Sequence, residues 1–301
     1  MSWAMARLPV WLTVALLGIA SCAAFTSVTF KVPWLAGAAR WQIHHHAAQK
    51  DDVEQDKHEG CLVESPPLEV LELDDNLLVL NKPWDVRIDG DHEVTVMKMA
   101  MKLFPEEDPP MLRFCHRLDF ATSGVLCMAL TKEANAAANR LFENRKAAKQ
   151  YLAVCYGHIE LDDMRIESPI AGYQVAEGET PINPTGCPEK LQKDFRMCVG
   201  SEDNPGRAAL TELHVLARGV YQGNNVTKVS LAPSTGRRHQ LRVHLNSIGH
   251  PIVGDFTYCG DAESPRMMLH AHSLSLPLPA KFGGVREWVA PDPFLDILEP
   301  A

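Results

Sequence analysis

Hydrophobic and polar positions along residues 67–298 alternate in short blocks that predict both strands and helices. Two apolar runs, at 70–73 and 77–80, flank the polar triplet 74–76 and predict a hairpin. Other apolar or alternating runs, bounded by polar or turn-forming residues, predict further strands. These lie at 124–130, 150–156, 209–217, 228–233 and 268–274.

Helical periodicity occupies the stretches between several of these strands. Apolar residues recur at i, i+3, i+4, i+7 and i+8 from Ala134 to Phe142, and Thr131 stands where an N-cap is expected. A second helix is predicted at 238–248, ended by Gly249, and a shorter one at 95–104. With about eight strands and four helices, the pattern predicts an α+β domain built on a mixed, largely antiparallel sheet. Residues 181–207 lack periodicity and predict a long surface loop.

The first 66 residues differ in composition from the rest of the chain. Residues 8–20 form an apolar block whose length is typical of a signal peptide and short for a membrane span. Residues 25–50 contain no acid and resemble a transit peptide, whereas residues 51–59 are acidic and polar. We therefore expect a targeting leader at 1–50, a linker at 51–66 and a folded domain at 67–298.

The expected destination of the leader is an organelle, either a plastid or a mitochondrion. An ordinary secretory signal is one alternative. An uncleaved membrane anchor is a second, because residues 8–30 carry no charge. A wrongly assigned start codon is another alternative, and it would leave the protein in the cytoplasm or nucleus.

Charge is distributed unevenly along the chain. The formal net charge is −9, and the only charged residues among the first 50 are four basic ones, so residues 51–301 carry −13. A polyanion would have to be held by a local group of cations and not by the overall field. The eight cysteines include no C-x-x-C pair, which disfavours a zinc site or a disulfide framework. The triplet His44-His45-His46 has no other ligand at suitable spacing, so we expect no metal there.

Residues 116–124, with the sequence HRLDFATSG, form the strongest candidate for chemistry. Asp119 precedes a Thr-Ser-Gly turn and a predicted buried strand, so it is expected on a loop at the mouth of the sheet. Taken alone, this pattern is explained more simply by an Asx turn or a loop cap than by a catalytic carboxylate.

Five segments in order resemble the motifs of the RluA-type RNA pseudouridine synthases. They are 81–83 (NKP), 116–124, 149–153 (KQYLA), 235–244 (TGRRHQLRVH) and 249–255 (GHPIVGD). Within that family, residues 81–89, 113–127, 266–270 and 291–295 are most similar to the eukaryotic RNA pseudouridylate synthase domain-containing proteins. The likeness covers roughly 67–298 and implies a pseudouridine synthase fold with a central active-site cleft. It also implies isomerisation of specific uridines in tRNA, rRNA or mRNA.

The resemblance also implies roles for individual residues. Asp119 is expected to be the nucleophile at ribose C1′, kept ionised by a salt bridge to Arg242. Tyr151 is expected to stack on the uracil and assist removal of the C5 proton, and Arg117 to fill the space of the flipped base. Other residues expected to bind the RNA or the base are His116, Lys82, Arg237, Arg238, Leu241 and Leu269. The implied enzyme is a monomer whose partner is RNA, with no metal, nucleotide or other cofactor.

The chain departs from the common family pattern in two places. Residues 84–89 (WDVRID) replace an apolar-His-Pro segment, and Phe120-Ala121 replace a charged pair. Both changes lie near the expected RNA and not at the nucleophile. They bear on which RNA is the target and leave the expected reaction unchanged.

Two other functions are alternatives. A catalytically silent RNA-binding protein would not need Asp119, Tyr151 and Arg242 together. A metal-dependent hydrolase would have to use scattered histidines that include no H-x-x-x-H pair with an acidic base between them. Those histidines are His239, His244, His250, His270 and His272.

Overall fold

The computed structural model describes residues 68–107, 109–175 and 195–300. The expected leader and linker lie outside these ranges, as does most of the loop expected at 181–207. The described residues belong to one compact unit. None of the helices in the described ranges is long and apolar enough to cross a membrane.

The described residues form twelve strands and four α-helices. The strands are β1 (Glu69–Leu73), β2 (Leu77–Lys82), β3 (Arg113–Phe114), β4 (Ser123–Ala129), β5 (Ala148–Tyr156), β6 (Asp163–Ile166), β7 (Ile170–Gly172), β8 (Met197–Val199), β9 (Thr211–Tyr221), β10 (Asn224–Pro233), β11 (Leu269–Pro277) and β12 (Val285–Val289). The helices are α1 (Val96–Met101), α2 (Lys132–Glu143), α3 (Gln240–Ser247) and α4 (Phe256–Cys259), and Ala280–Phe282 forms a 3₁₀ turn.

One large sheet organises the fold. Its strand order is β1-β2-β4-β11-β5-β10-β9-β6, with β3 added to β4 and β12 added to β11. All of its strand pairs are antiparallel except β4 and β11, which run parallel where Ser123 lies opposite His270. Strands β7 and β8 form a separate ribbon. The expected α+β class with a mixed, mostly antiparallel sheet is therefore confirmed.

Both faces of the central strands are covered, which explains why their apolar runs are continuous. Leu77 and Val79 of β2 join a cluster with α2 and Trp288, whereas Leu78 and Leu80 join a cluster with α1 on the opposite face. Successive side chains of a strand point to opposite faces, so a strand covered on both sides needs apolar residues at every position. All seven residues of β4 are likewise buried.

Local capping sets the helix ends close to where the sequence predicts them. Thr131 Oγ1 accepts a hydrogen bond from Ala134 N at 3.2 Å, which begins α2. Helix α3 begins at Gln240, two residues later than expected, because His239 has left-handed backbone angles of φ 54° and ψ 19°. Helix α1 is shorter than predicted and ends at Met101.

The candidate active-site cleft

Asp119 lies on the loop between β3 and β4, where it faces a cleft of about 1160 Å³. Thr122 N donates to Asp119 O at 3.2 Å and closes the turn that leads into β4. The Asp119 side chain is 30% exposed, so its carboxylate can be reached from the cleft. Asp119 thus lies on the loop that leads into β4 of the large sheet, where the sequence predicts it.

Lys82 lies beneath the Asp119 loop and does not face the RNA side of the cleft. The side chain is fully buried, and Nζ donates to the carbonyl oxygens of Pro83, Phe120 and Thr122, each at 2.8 Å. Burial lowers its pKa to about 7, and the Asp119 charge opposes that shift. The prediction that Lys82 binds substrate is therefore wrong. An ammonium group has three donors, and here two of them tie the Asp119 loop to the end of β2, while the third bonds the carbonyl of the next residue, Pro83.

Arg242 of α3 reaches Asp119 but pairs more closely with Asp255. Its Nε and Nη2 donate to the two carboxylate oxygens of Asp255 at 2.8 and 2.7 Å, whereas Nη1 lies 3.6 Å from Asp119 Oδ2. Asp255 is buried and also accepts from Tyr258 N, which caps α4. Asp255 was not among the predicted site residues. Its two-point contact orients the guanidinium so that the remaining Nη1 faces Asp119.

Burial and charge act in opposite directions on Arg242. Burial lowers its pKa, but the hydrogen bonds and charge of Asp255, together with the charge of Asp119, raise it above the usual value. The Tyr258 ring adds a cation–π contact, 4.9 Å from the guanidinium carbon. Arg242 is therefore a fixed positive charge beside the candidate nucleophile.

Tyr151 of β5 lies in the same cleft, with Leu241 and Leu269 beside it in the lining. Both leucines are buried, so this part of the cleft is apolar. Burial raises the pKa of Tyr151, and the nearby Asp119 charge raises it further. The hydroxyl is thus protonated at physiological pH, next to an apolar surface on which a base can pack.

Arg117 and His116 precede Asp119 but have different environments. Arg117 is 66% exposed and donates to both carboxylate oxygens of Asp89 at 3.1 and 3.0 Å. His116 Nε2 accepts from Cys127 N at 3.0 Å, and its ring stacks on Phe142. Burial lowers the pKa of His116 to about 4, so it is neutral and braces the loop against β4. Both residues line the cleft, and their binding roles remain predictions.

Arg237 and Arg238, which immediately precede His239 and α3, also line the cleft. Arg237 Nε donates to Ala208 O at 3.1 Å, and the exposed Arg238 guanidinium lies 5.0 Å from the centre of the Phe195 ring. Among the residues that the structure describes, seven cations and three carboxylates line the cleft, so this part of it is locally basic in an acidic chain. The cations are Arg87, Arg117, Arg145, Lys149, Arg237, Arg238 and Arg242, and the carboxylates are Asp89, Asp119 and Glu143.

The histidines considered for a metal centre do not converge. His244 is held by Thr211 Oγ1 and Ser168 O, each at 2.9 Å, and His250 Nδ1 contacts Tyr156 O at 2.8 Å. Within the described ranges no group of three or more His, Cys, Asp or Glu side chains is arranged to hold a metal ion.

Comparisons with known proteins agree with this geometry. A family model for RNA pseudouridylate synthase matches residues 76–247, more than half of the chain. RNA pseudouridylate synthase domain-containing protein 1 of Bos taurus is 46% identical over 235 residues, covering 74% of this chain and 71% of that protein. Dual-specificity RNA pseudouridine synthase RluA of Escherichia coli K12 is 35% identical over 238 residues, covering 77% of this chain and 96% of RluA.

A solved structure extends the likeness to three dimensions. Human RNA pseudouridylate synthase domain containing 1 superimposes with a TM-score of 0.64 at 40% sequence identity. The alignment covers 80% of this chain and 89% of the human chain. From the motif order, the cleft and these matches, this chain belongs to the RNA pseudouridine synthase family.

Proposed function

We propose that this protein isomerises specific uridines in RNA to pseudouridine, with Asp119 as the nucleophile. The observation that carries the proposal is the position of Asp119, reachable from a locally basic cleft and faced by an Arg242 that Asp255 holds in place. The match to RluA-type enzymes over most of the chain supports the same reaction.

The reaction breaks the bond between ribose C1′ and uracil N1, turns the base and joins C1′ to C5. Positive charge develops on the ribose, so an ionised carboxylate near C1′ lowers the barrier. Arg242 places a positive charge beside Asp119. The distance of 3.6 Å between Arg242 Nη1 and Asp119 Oδ2 is longer than a hydrogen bond, so this oxygen remains available to attack C1′.

Tyr151 is proposed to hold the base while this happens. Its ring offers a flat apolar face beside Leu269, and its protonated hydroxyl lies close enough to Asp119 to feel that charge. After C1′ is joined to C5, the C5 proton passes to water and N1 takes up a proton from water, and the protonated Tyr151 hydroxyl is proposed to assist by hydrogen bonding to that water.

The remaining cleft residues are proposed to hold the RNA strand. Arg237 and Arg238 are proposed to contact phosphates, because they lie on the cleft wall. Arg117 is proposed to leave Asp89 and fill the space of the flipped uridine, which lowers the cost of unstacking. The enzyme is proposed to act as a monomer without a cofactor.

Pseudouridine mapping provides the direct test. RNA from cells with and without the gene is compared, and RNA from deficient cells is then treated with purified wild-type protein or with Asp119→Asn. We expect specific sites to be lost in the deficient cells and restored by the wild-type protein alone. Equal restoration by Asp119→Asn would contradict the nucleophile assignment, and no change at any site would contradict the proposed function.

We also propose that residues 1–50 direct the protein to an organelle. The support is the apolar block at 8–20 followed by the acid-free segment at 25–50. A fluorescent fusion of residues 1–50 should enter a plastid or mitochondrion, and diffuse cytoplasmic fluorescence would contradict the proposal.

A further inference from the structure

His239 has an unusual backbone conformation at the edge of the catalytic cleft. Its φ of 54° lies in the left-handed region, where a residue with a Cβ is strained, and its side chain lines the cleft although it is only 3% exposed. Strained conformations of this kind persist where the surrounding structure holds them, and they cluster at functional sites. The roles proposed for the other cleft residues do not use this side chain.

The hydrogen bonds around His239 determine where its proton lies. Met197 N donates to Tyr258 Oη at 2.9 Å, and Tyr258 Oη lies 2.7 Å from His239 Nδ1. A backbone N–H can only donate, so the tyrosine oxygen accepts that bond, and among the described residues His239 Nδ1 is the only acceptor within reach of the tyrosine O–H, which therefore donates to it. A neutral imidazole whose Nδ1 accepts must carry its proton on Nε2.

The Nε2–H group that results is an unused donor. It is buried and has no hydrogen-bond partner among the described residues. Burial lowers the pKa of His239 to about 4, with Arg242 and Arg238 acting in the same direction and Asp119 and Asp255 opposing them. The donor is therefore neutral at physiological pH, and it lines the same cleft as Asp119.

We propose that His239 Nε2–H donates a hydrogen bond to a carbonyl oxygen of the target uracil. This inference rests on the proposed function. When the C1′–N1 bond breaks, its electron pair stays with the uracil and spreads onto O2 and O4, while Asp119 forms the new bond to C1′. His239 keeps its proton and stabilises the negative charge on oxygen, as donors of an oxyanion hole do.

The proposed ligand atom follows from the chemistry of the donor. A neutral N–H in the cleft that Asp119 also lines suits a carbonyl oxygen of the uracil. Phosphate oxygens carry full charge and are matched by guanidinium groups, which Arg237 and Arg238 supply in the same cleft.

The first test is His239→Asn. Asparagine tolerates left-handed backbone angles, and its amide can take the place of Nδ1 beside Tyr258 while lacking a group at Nε2. We expect kcat to fall about 100-fold with little change in RNA affinity, the effect typical of removing one oxyanion donor. His272→Asn is the matched control, because His272 also has a buried unpartnered nitrogen but does not line the cleft. It should leave kcat unchanged.

Substrate sulfur substitution identifies the atom that accepts the bond. RNA with 2-thiouridine or 4-thiouridine at the target replaces one carbonyl oxygen with a poorer acceptor. One of the two should slow the wild-type enzyme, and the same substitution should slow His239→Asn no further. Additive losses, or a kcat for His239→Asn equal to that of wild type, would overturn the inference.

The position of the imidazole proton provides a test that needs no assay of activity, and two outcomes of the assay separate this inference from the proposed function. The ¹⁵N spectrum of the imidazole should show the proton on Nε2, and a proton on Nδ1 would overturn the inference without any assay of activity. If wild-type protein forms pseudouridine but His239→Asn does so equally well, only the role of His239 fails. If wild-type protein forms none in any RNA, the proposed function fails and this inference fails with it.

Discussion

Arg242 donates to both carboxylate oxygens of Asp255, at 2.8 and 2.7 Å, on the side of the guanidinium that faces away from the candidate nucleophile. Both side chains are buried, and Nη1 is left facing Asp119 at 3.6 Å. Asp255 thus stabilises the buried cation and fixes its direction. The reactive carboxylate receives a charged neighbour without a short hydrogen bond.

We expect Asp255→Asn to lower both stability and rate. Losing one member of a buried ion pair leaves the other charge uncompensated, so the free energy of unfolding should fall by roughly 3 kcal/mol. The single-turnover rate should fall as well, because Arg242 is no longer oriented toward Asp119. Denaturant titration and single-turnover kinetics measure the two effects. Glu167→Gln, in the exposed pair with Arg165, is the control and should change neither. A stability loss with an unchanged rate would make Asp255 purely structural.

Tyr151→Phe should separate base stacking from proton transfer. The phenylalanine ring keeps the flat apolar face, so RNA affinity should be nearly unchanged. Loss of the hydroxyl should lower kcat by roughly 100-fold or more, the range for a general acid or base. Tyr156→Phe is the matched control on the same strand, since its hydroxyl bonds Asp261 at 2.6 Å outside the cleft lining. Parallel losses of affinity and rate in Tyr151→Phe would indicate a structural role.

Salt dependence should distinguish phosphate-binding cations from the Asp119 partner. Replacing Arg237 or Arg238 with Gln should weaken RNA binding and reduce the slope of log affinity against log salt by about 0.7 for each phosphate that is no longer neutralised. Arg242→Met should leave the slope nearly unchanged and lower the rate, because Arg242 is buried against carboxylates. Binding titrations at several salt concentrations measure the slopes. A slope that changes only with Arg242→Met would reverse the assigned roles.

Acid should destabilise the fold through its buried neutral histidines. Burial lowers the pKa of His239 and His270 from 6.5 to about 4. Between these values the unfolded chain binds more protons, so the free energy of unfolding decreases as pH falls from about 6.5 to about 4. Each histidine contributes up to about 1.4 kcal/mol per pH unit in that window.

The difference between wild type and His270→Asn isolates one of these contributions. Stability measured by denaturant titration at several pH values should depend less steeply on pH in the variant. The exposed His92→Asn is the control and should keep the wild-type slope. Equal slopes for all three proteins would show that His270 does not carry the predicted effect.

An element of the fold was predictable from sequence wherever the residues that specify it lie within the same segment of the chain. The β1–β2 hairpin follows from two apolar runs around a polar turn, and α2 from its periodicity and the Thr131 cap. Strands β3, β6, β7, β8 and β12 were missed. They have only two to five residues, and β6 and β3 are strands because β9 and β4 supply their hydrogen-bond partners.

The sequence by itself determined the family motifs and their order, and these identified nine residues that line the cleft, since pattern and spacing are properties of the chain. Only the tertiary structure decided where those side chains point. Lys82 turns inward to three carbonyls, and Arg242 divides its donors between Asp255 and Asp119. Such choices depend on groups distant in sequence that meet only after folding, because a buried charge takes the partners that the packed chain places within hydrogen-bond reach.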